Sequence, residues 1–136
     1  MKKLTYIAFL GLFSLVSCQS KEEILRQQYS IEGMNAYQTH CENCHQRDGK
    51  GLKDLYPPVM GTDLFQRVKN QSLVHLIKYG QKGEILVNGK KYDGFMPANN
   101  RLEALDIAEI ITYLREKNGI KVIFPLDSAR KYLAKQ

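Results

Sequence analysis

The chain has no run of five or six lysines and arginines, although 20 basic and 14 acidic residues in 136 leave a formal charge of +6. Charge spread this thinly leaves no electrostatic footprint for a nucleic acid, so none is expected as a partner. It has only three cysteines, too few and too unevenly placed for a disulfide framework, since Cys18 lies far from Cys41 and Cys44. It also lacks the apolar run of about 20 residues that a membrane-spanning helix needs. The longest mostly apolar stretch, from about Leu4 to Val16, is shorter and follows Lys2 and Lys3. What remains is an ordinary globular composition, 43% hydrophobic and 25% charged, in a length that makes one domain around one modest core.

A basic start, a short apolar stretch and a small residue read as a secretory signal, so export is expected. Its last four residues, Leu15-Val16-Ser17-Cys18, resemble the lipobox of bacterial lipoproteins. That resemblance implies that residues 1–17 are a lipoprotein signal peptide and that Cys18 is lipidated. Several acyl chains on Cys18 make a stable anchor where one would be marginal. The alternative is a soluble exported protein with a cysteine at its cleavage site. From Gln19 to about Tyr29 the sequence is polar with only Ile24 and Leu25 to bury, so residues 18–30 read as lipid anchor and tether, the tether partly helical. The implied location is the bacterial cell envelope, lipid-anchored and facing the periplasm.

Two thiols three positions apart can close a disulfide, bind a metal or carry a larger group. Cys41-Glu42-Asn43-Cys44-His45 fits the attachment pattern of haem c. Cysteines one helical turn apart face the same side and can form thioethers with two vinyl groups of one porphyrin, while His45 turns its ring toward the iron. Zinc would need a second Cys/His cluster, and His75 stands alone. A thioredoxin-like pair would need a strand before the motif and a βαβ pattern around it, and neither is present. A structural disulfide stays open in an exported protein.

An iron so held takes a sixth ligand from Met34, Met60, Met96, His40 or His75, or keeps an open position. Met34 and His40 precede the motif on what should be the same helix, and Met60 follows His45 by fifteen residues in a loop bounded by proline and glycine. His75 lies in the apolar helix SLVHLIKY. Met96, in YDGFMP about fifty residues downstream, is preferred because the chain has room to cross the site. Gly94 there permits a turn and Pro97 stiffens the backbone. His75 is the next choice.

Around these residues, Ile31, Met34 and Tyr37 recur at helical spacing after Ser30, a candidate N-cap. Gly33 weakens that helix and suits close approach of another. The partner is Leu102–Lys117, with Leu102, Leu105, Ile107, Ile110, Ile111 and Leu114 on one broad face and Gly119 as the stop. Ser72–Tyr79 reads as a short helix, GEILVNGKKYDG as a hairpin about Asn88-Gly89, and Asp127 as the cap of a last helix to about Ala134.

GMNAYQTHCENCHQRDGKG, YPPVMG, GEILVNGKKYDGFMP and LEALDIAEIITYLR together resemble the class I (monohaem) c-type cytochromes over residues 31–118. The resemblance implies a mainly α protein of cytochrome c fold, its helices wrapped around one covalent haem c, with a small β-hairpin before the Met ligand loop. It implies thioethers at Cys41 and Cys44, axial ligands His45 and Met96, and contact between Gly33 and Tyr113. It aligns Pro57, with Pro58 as the alternative, to the carbonyl that accepts the His45 ring N–H. Residues 119–136 form a C-terminal extension that packs on the domain or docks a partner.

With both axial positions filled, the expected function is a single-electron carrier of an envelope respiratory chain rather than an enzyme. Its partners would be redox proteins, met transiently through Arg47, Lys50, Lys53, Lys90 and Lys91. Alternatives are a haem-based peroxidase or gas sensor if Met96 is labile, or an electron-transfer subunit of a larger reductase or oxidase. A single CxxCH speaks against a di-haem peroxidase.

Overall fold

A computed structural model describes residues 20–135. Cys18 and the signal segment lie outside the described residues. The first helix, α1 (Lys21–His40), starts where Ser20 accepts the Glu23 N–H on its hydroxyl at 3.2 Å, with Glu22 and Glu23 in the first turn favouring the helix dipole. The start expected at Ser30 is therefore corrected by ten residues, and Ser30 lies inside the helix. Arg26 explains the extension: it is buried, forks onto Glu23 at 2.7 and 3.0 Å, and reaches Glu116 near the far end of the chain. From Lys21 onward, the segment read as a tether is thus helix continuous with the domain.

α1 ends at Cys41, whose φ of −124° breaks the helix before the single turn α2 (Glu42–His45). A second short turn, α3 (Leu64–Arg67), and α4 (Asn70–Tyr79) follow. Strands β1 (Gln81–Val87) and β2 (Lys90–Met96) then pair antiparallel. Asn88 and Gly89, at φ of 50° and 76°, make the left-handed two-residue turn the sequence signals. One expectation changes: Met96 is not in a loop but is the last residue of β2, opposite Gln81.

The long helix α5 (Ala104–Lys117) crosses α1. It starts at Glu103, whose N–H donates to Asp106 at 2.7 Å, an acidic version of the capping box. Leu102 is buried just ahead of the helix, and Leu105, expected on the inner face, is 43% exposed. Ile107, Ile110, Ile111 and Leu114 form the centre of the core with Tyr37, Leu73 and Phe124. At the crossing, a Cβ on Gly33 would lie 2.1 Å from the Glu109 carbonyl oxygen, and the Tyr37 and Tyr113 rings stand 5.7 Å apart.

The last helix, α6 (Leu126–Leu133), starts from Pro125, so Asp127 sits in the first turn rather than at the cap. The extension packs on the domain. Phe124 is fully buried and donates its N–H to Thr112 at 2.9 Å, and the His75 ring meets the Tyr132 carbonyl at 2.8 Å. No described helix is long and apolar enough to cross a membrane.

Candidate cofactor site

The break at Cys41 aims the CENCH turn inward. The N–H groups of Cys44 and His45 donate to the Cys41 carbonyl at 3.2 and 2.9 Å, which winds the motif into one tight turn. Cys41 and Cys44 are free thiols that line the same cavity, and the buried His45 lines it with them. The His45 Nδ1–H donates to the Pro57 carbonyl at 3.0 Å, so Pro57 rather than Pro58 makes this bond. That bond fixes the ring and its tautomer, leaving Nε2 with the lone pair.

Gly51 makes this approach possible. At its φ of 69°, a Cβ would lie 2.1 Å from the Tyr56 carbonyl oxygen and 2.6 Å from that of Pro57. Its N–H also donates to the His45 carbonyl at 3.0 Å, joining the motif to the Pro57 strand of the loop. No spacing rule reveals this role, because it depends on a backbone approach between residues that the sequence does not pair.

Burial lowers the pKa of His45, and the bond to Pro57 opposes that shift in part. The ring is therefore a neutral donor at physiological pH, as a metal ligand must be. Burial, with Cys44 nearby, pushes the Cys41 thiol up to about 11. A thiol so held is not the activated thiolate of a redox pair. Among the described residues, no three His, Cys, Asp or Glu side chains are grouped to hold a bare metal ion.

Phe65, Leu73, Ile77, Val87, Tyr92, Leu102, Ile110 and Leu114 wall the cavity, and Met96 and Pro97 line it as well. The five possible sixth ligands separate here. Met34 packs partly buried against the core, and Met60 lies against Gly49, where a Cβ would come within 2.3 Å of its side chain. His75 is held by the Tyr132 carbonyl and stands edge-on to Tyr79 at 5.5 Å. Only Met96 and His40 line the cavity, and His40 belongs to α1, next to the motif itself. An apolar slot with two thiols, one oriented imidazole and one thioether fits a covalently held haem.

The surface charges depart from expectation. Lys90 is paired with Asp54, Lys91 with Glu84 at 3.0 Å and Lys50 with Asp48 at 3.6 Å. Three of the five expected docking cations thus have a carboxylate beside them.

A family model described as cytochrome c oxidase, cbb3-type, subunit III matches residues 31–114. A cytochrome c-552 of Thermus thermophilus is 30% identical over 115 residues, covering 82% of this chain and 70% of that protein. A second Thermus thermophilus cytochrome c-552 is 30% identical over 86 residues, covering 61% of this chain and 65% of the relative. The cytochrome c subunit of an alcohol dehydrogenase (quinone) from Gluconacetobacter polyoxogenes is 26% identical over 105 residues, which are 68% of this chain but 20% of that subunit.

Proposed function

The chain belongs to the c-type cytochrome family that this match describes, whose members carry haem c covalently, and from that premise we propose that it is a single-electron carrier of the cell envelope. The observation that carries the reading is the convergence of His45, Met96 and both thiols on one apolar cavity. Haem c, when bound, supplies an Fe(III)/Fe(II) couple that accepts and returns one electron. Cys41 and Cys44 would anchor it through thioethers, and His45 and Met96 would be its iron ligands. Pro57 holds the His45 ring in place through its Nδ1–H. The apolar walls keep water from the ligands, and the soft Met96 sulfur favours the reduced state over a second imidazole.

The test is an optical and redox titration of protein made in a host with haem c maturation. A low-spin ferrous c-type spectrum, a one-electron Nernst slope and no response to carbon monoxide support the carrier. A high-spin ferrous spectrum that binds carbon monoxide overturns it in favour of a peroxidase or gas sensor. The similarity to a dehydrogenase cytochrome subunit favours a second reading, in which the same electron transfer occurs within a larger complex.

The anchor belongs to this proposal too. Cys18 carries the lipid, residues 31–118 form the haem domain and residues 119–136 its packed extension. Only Gln19 separates Cys18 from Ser20, the cap of α1, so the domain sits close to the membrane surface.

Docking to redox partners is transient and works with a muted positive charge, because Lys90 and Lys91 are paired. Replacing both carboxylates, Asp54→Asn with Glu84→Gln, should raise the reduction rate with an acidic partner about threefold at low salt, an effect lost at high salt. Stopped-flow reduction measures this. An unchanged rate removes the two lysines from the docking surface.

A further inference from the structure

The hairpin that ends in Met96 has little core of its own. Val87 and Tyr92 are its buried side chains, and the others are half-exposed or exposed. A two-stranded hairpin is marginal by itself, so something else must fix its direction. Its tip is held instead by polar bonds. The Asn88 N–H donates to the Asp63 carboxylate at 3.0 Å, and the Asp63 N–H donates back to the Asn88 side-chain oxygen at 2.9 Å. The Asn88 amide also donates to the Gly61 carbonyl at 3.0 Å. Arg67 ties the two sides again, donating to Asp63 at 3.1 Å and to the Leu86 carbonyl at 2.6 Å.

The segment that receives the tip is itself fixed. Asn118, at the end of α5, accepts the Thr62 N–H at 2.8 Å and donates to the Val59 carbonyl at 2.9 Å. Val59 is two residues from Pro57, whose carbonyl orients His45. A continuous set of bonds therefore runs from the His45 side of the cavity, through residues 59–63, to the tip of the strand that carries Met96. β2 is paired with β1 from Lys90 at the tip to Met96, and an axial thioether must be placed within about 0.5 Å to bind well, so a shift at the tip is carried along the pairing to Met96.

We infer that Asp63 and Asn88 are positioning residues, a clasp that sets Met96 against the iron held by His45. The inference rests on Met96 being the sixth ligand. The nearby Asn88 N–H, together with Arg67, holds the Asp63 carboxyl below the usual range, so the clasp is charged and closed at neutral pH.

The experiment uses ferric holoprotein and imidazole as the competing ligand. Asn88→Gly keeps the left-handed backbone and removes the side chain; Asp63→Ala removes the acceptor, and Asp63→Asn restores it. In the first two, imidazole should bind about tenfold more tightly as the Met96-bound population falls, with Asp63→Asn within about twofold of the parent. The helical far-UV melting midpoint should stay near the parent's, which separates positioning from general loosening. Met96→Ala separates the two claims. If it leaves the weak near-infrared Met-to-iron band in place, the ligand reading fails and takes the clasp with it. If it abolishes the band while Asn88→Gly and Asp63→Ala bind imidazole like the parent, the clasp is overturned and the ligand stands.

Discussion

Holoprotein carrying Met96→Ala is expected to lose the weak near-infrared Met-to-iron band and to gain affinity for imidazole and carbon monoxide. Its reduction potential should fall by on the order of 0.1 to 0.3 V, within the range of about 0.8 V that axial ligands control. The direction follows from the sulfur. A thioether is a soft ligand that favours the ferrous state, and a water or hydroxide in its place favours the ferric state. The size follows from the lack of a substitute. Met60 is wedged against Gly49, Met34 packs on the core, and His75 is committed to the Tyr132 carbonyl. His40 also lines the cavity, so His40→Ala is the matched control and should leave band and potential unchanged. An intact band in Met96→Ala, or its loss in His40→Ala, would transfer the ligand assignment. Spectropotentiometry of the two variants beside the parent decides it.

The parts of this molecule that were legible in sequence are those fixed by neighbours in the chain. CENCH states its own chemistry, because thiol spacing and the adjacent histidine are local. Asn88-Gly89 states the hairpin, because a left-handed turn needs such residues. The start of α1 is not legible, for the opposite reason. Ser30 before the helical spacing of Ile31, Met34 and Tyr37 resembles a helix start, while the polar run ahead of it shows no apolar stripe. What holds that run as helix on the domain is the bond from Arg26 to Glu116, 90 positions away, a pairing that no window along the sequence displays. Gly51, Asp63 and Asn118 were invisible as site residues on the same ground, since each acts through a backbone group brought near by the fold. Lysines 90 and 91 could be counted, but their neutralisation by Asp54 and Glu84 could not. Pro57 lies between these cases: the family resemblance indicated it, and the 3.0 Å contact to His45 distinguishes it from Pro58.

Gly33→Ala tests the crossing on which the site is built, and two effects of opposite sign meet there. Alanine is the better helix former, by up to about 1 kcal/mol over glycine in a helix interior, so an open position would be stabilised. Gly33 is not open. The added Cβ would stand 2.1 Å from the Glu109 carbonyl oxygen and 2.8 Å from the Tyr113 Cβ. The first obstacle is backbone of α5, which no side-chain rotation can remove, so α1 and α5 must move apart. Forced overpacking of this kind costs about 1 to 3 kcal/mol, and with backbone as the obstacle the upper end applies. The net expectation is a loss of about 2 kcal/mol in unfolding free energy, a large share of the roughly 5 to 15 kcal/mol typical of a domain. Gly33→Val should lose more, since its branched side chain adds bulk at the same point. The damage should also reach the cofactor end. Tyr37 packs beside Tyr113 at the crossing and donates its hydroxyl to the Gln46 carbonyl at 2.6 Å, one residue past His45. Urea denaturation of the holoprotein, followed by far-UV circular dichroism and by the haem absorption together, reads both effects. A lower midpoint with unchanged slope is the expected result for alanine, and a midpoint equal to the parent's or above it would mean that the helices do not meet at Gly33.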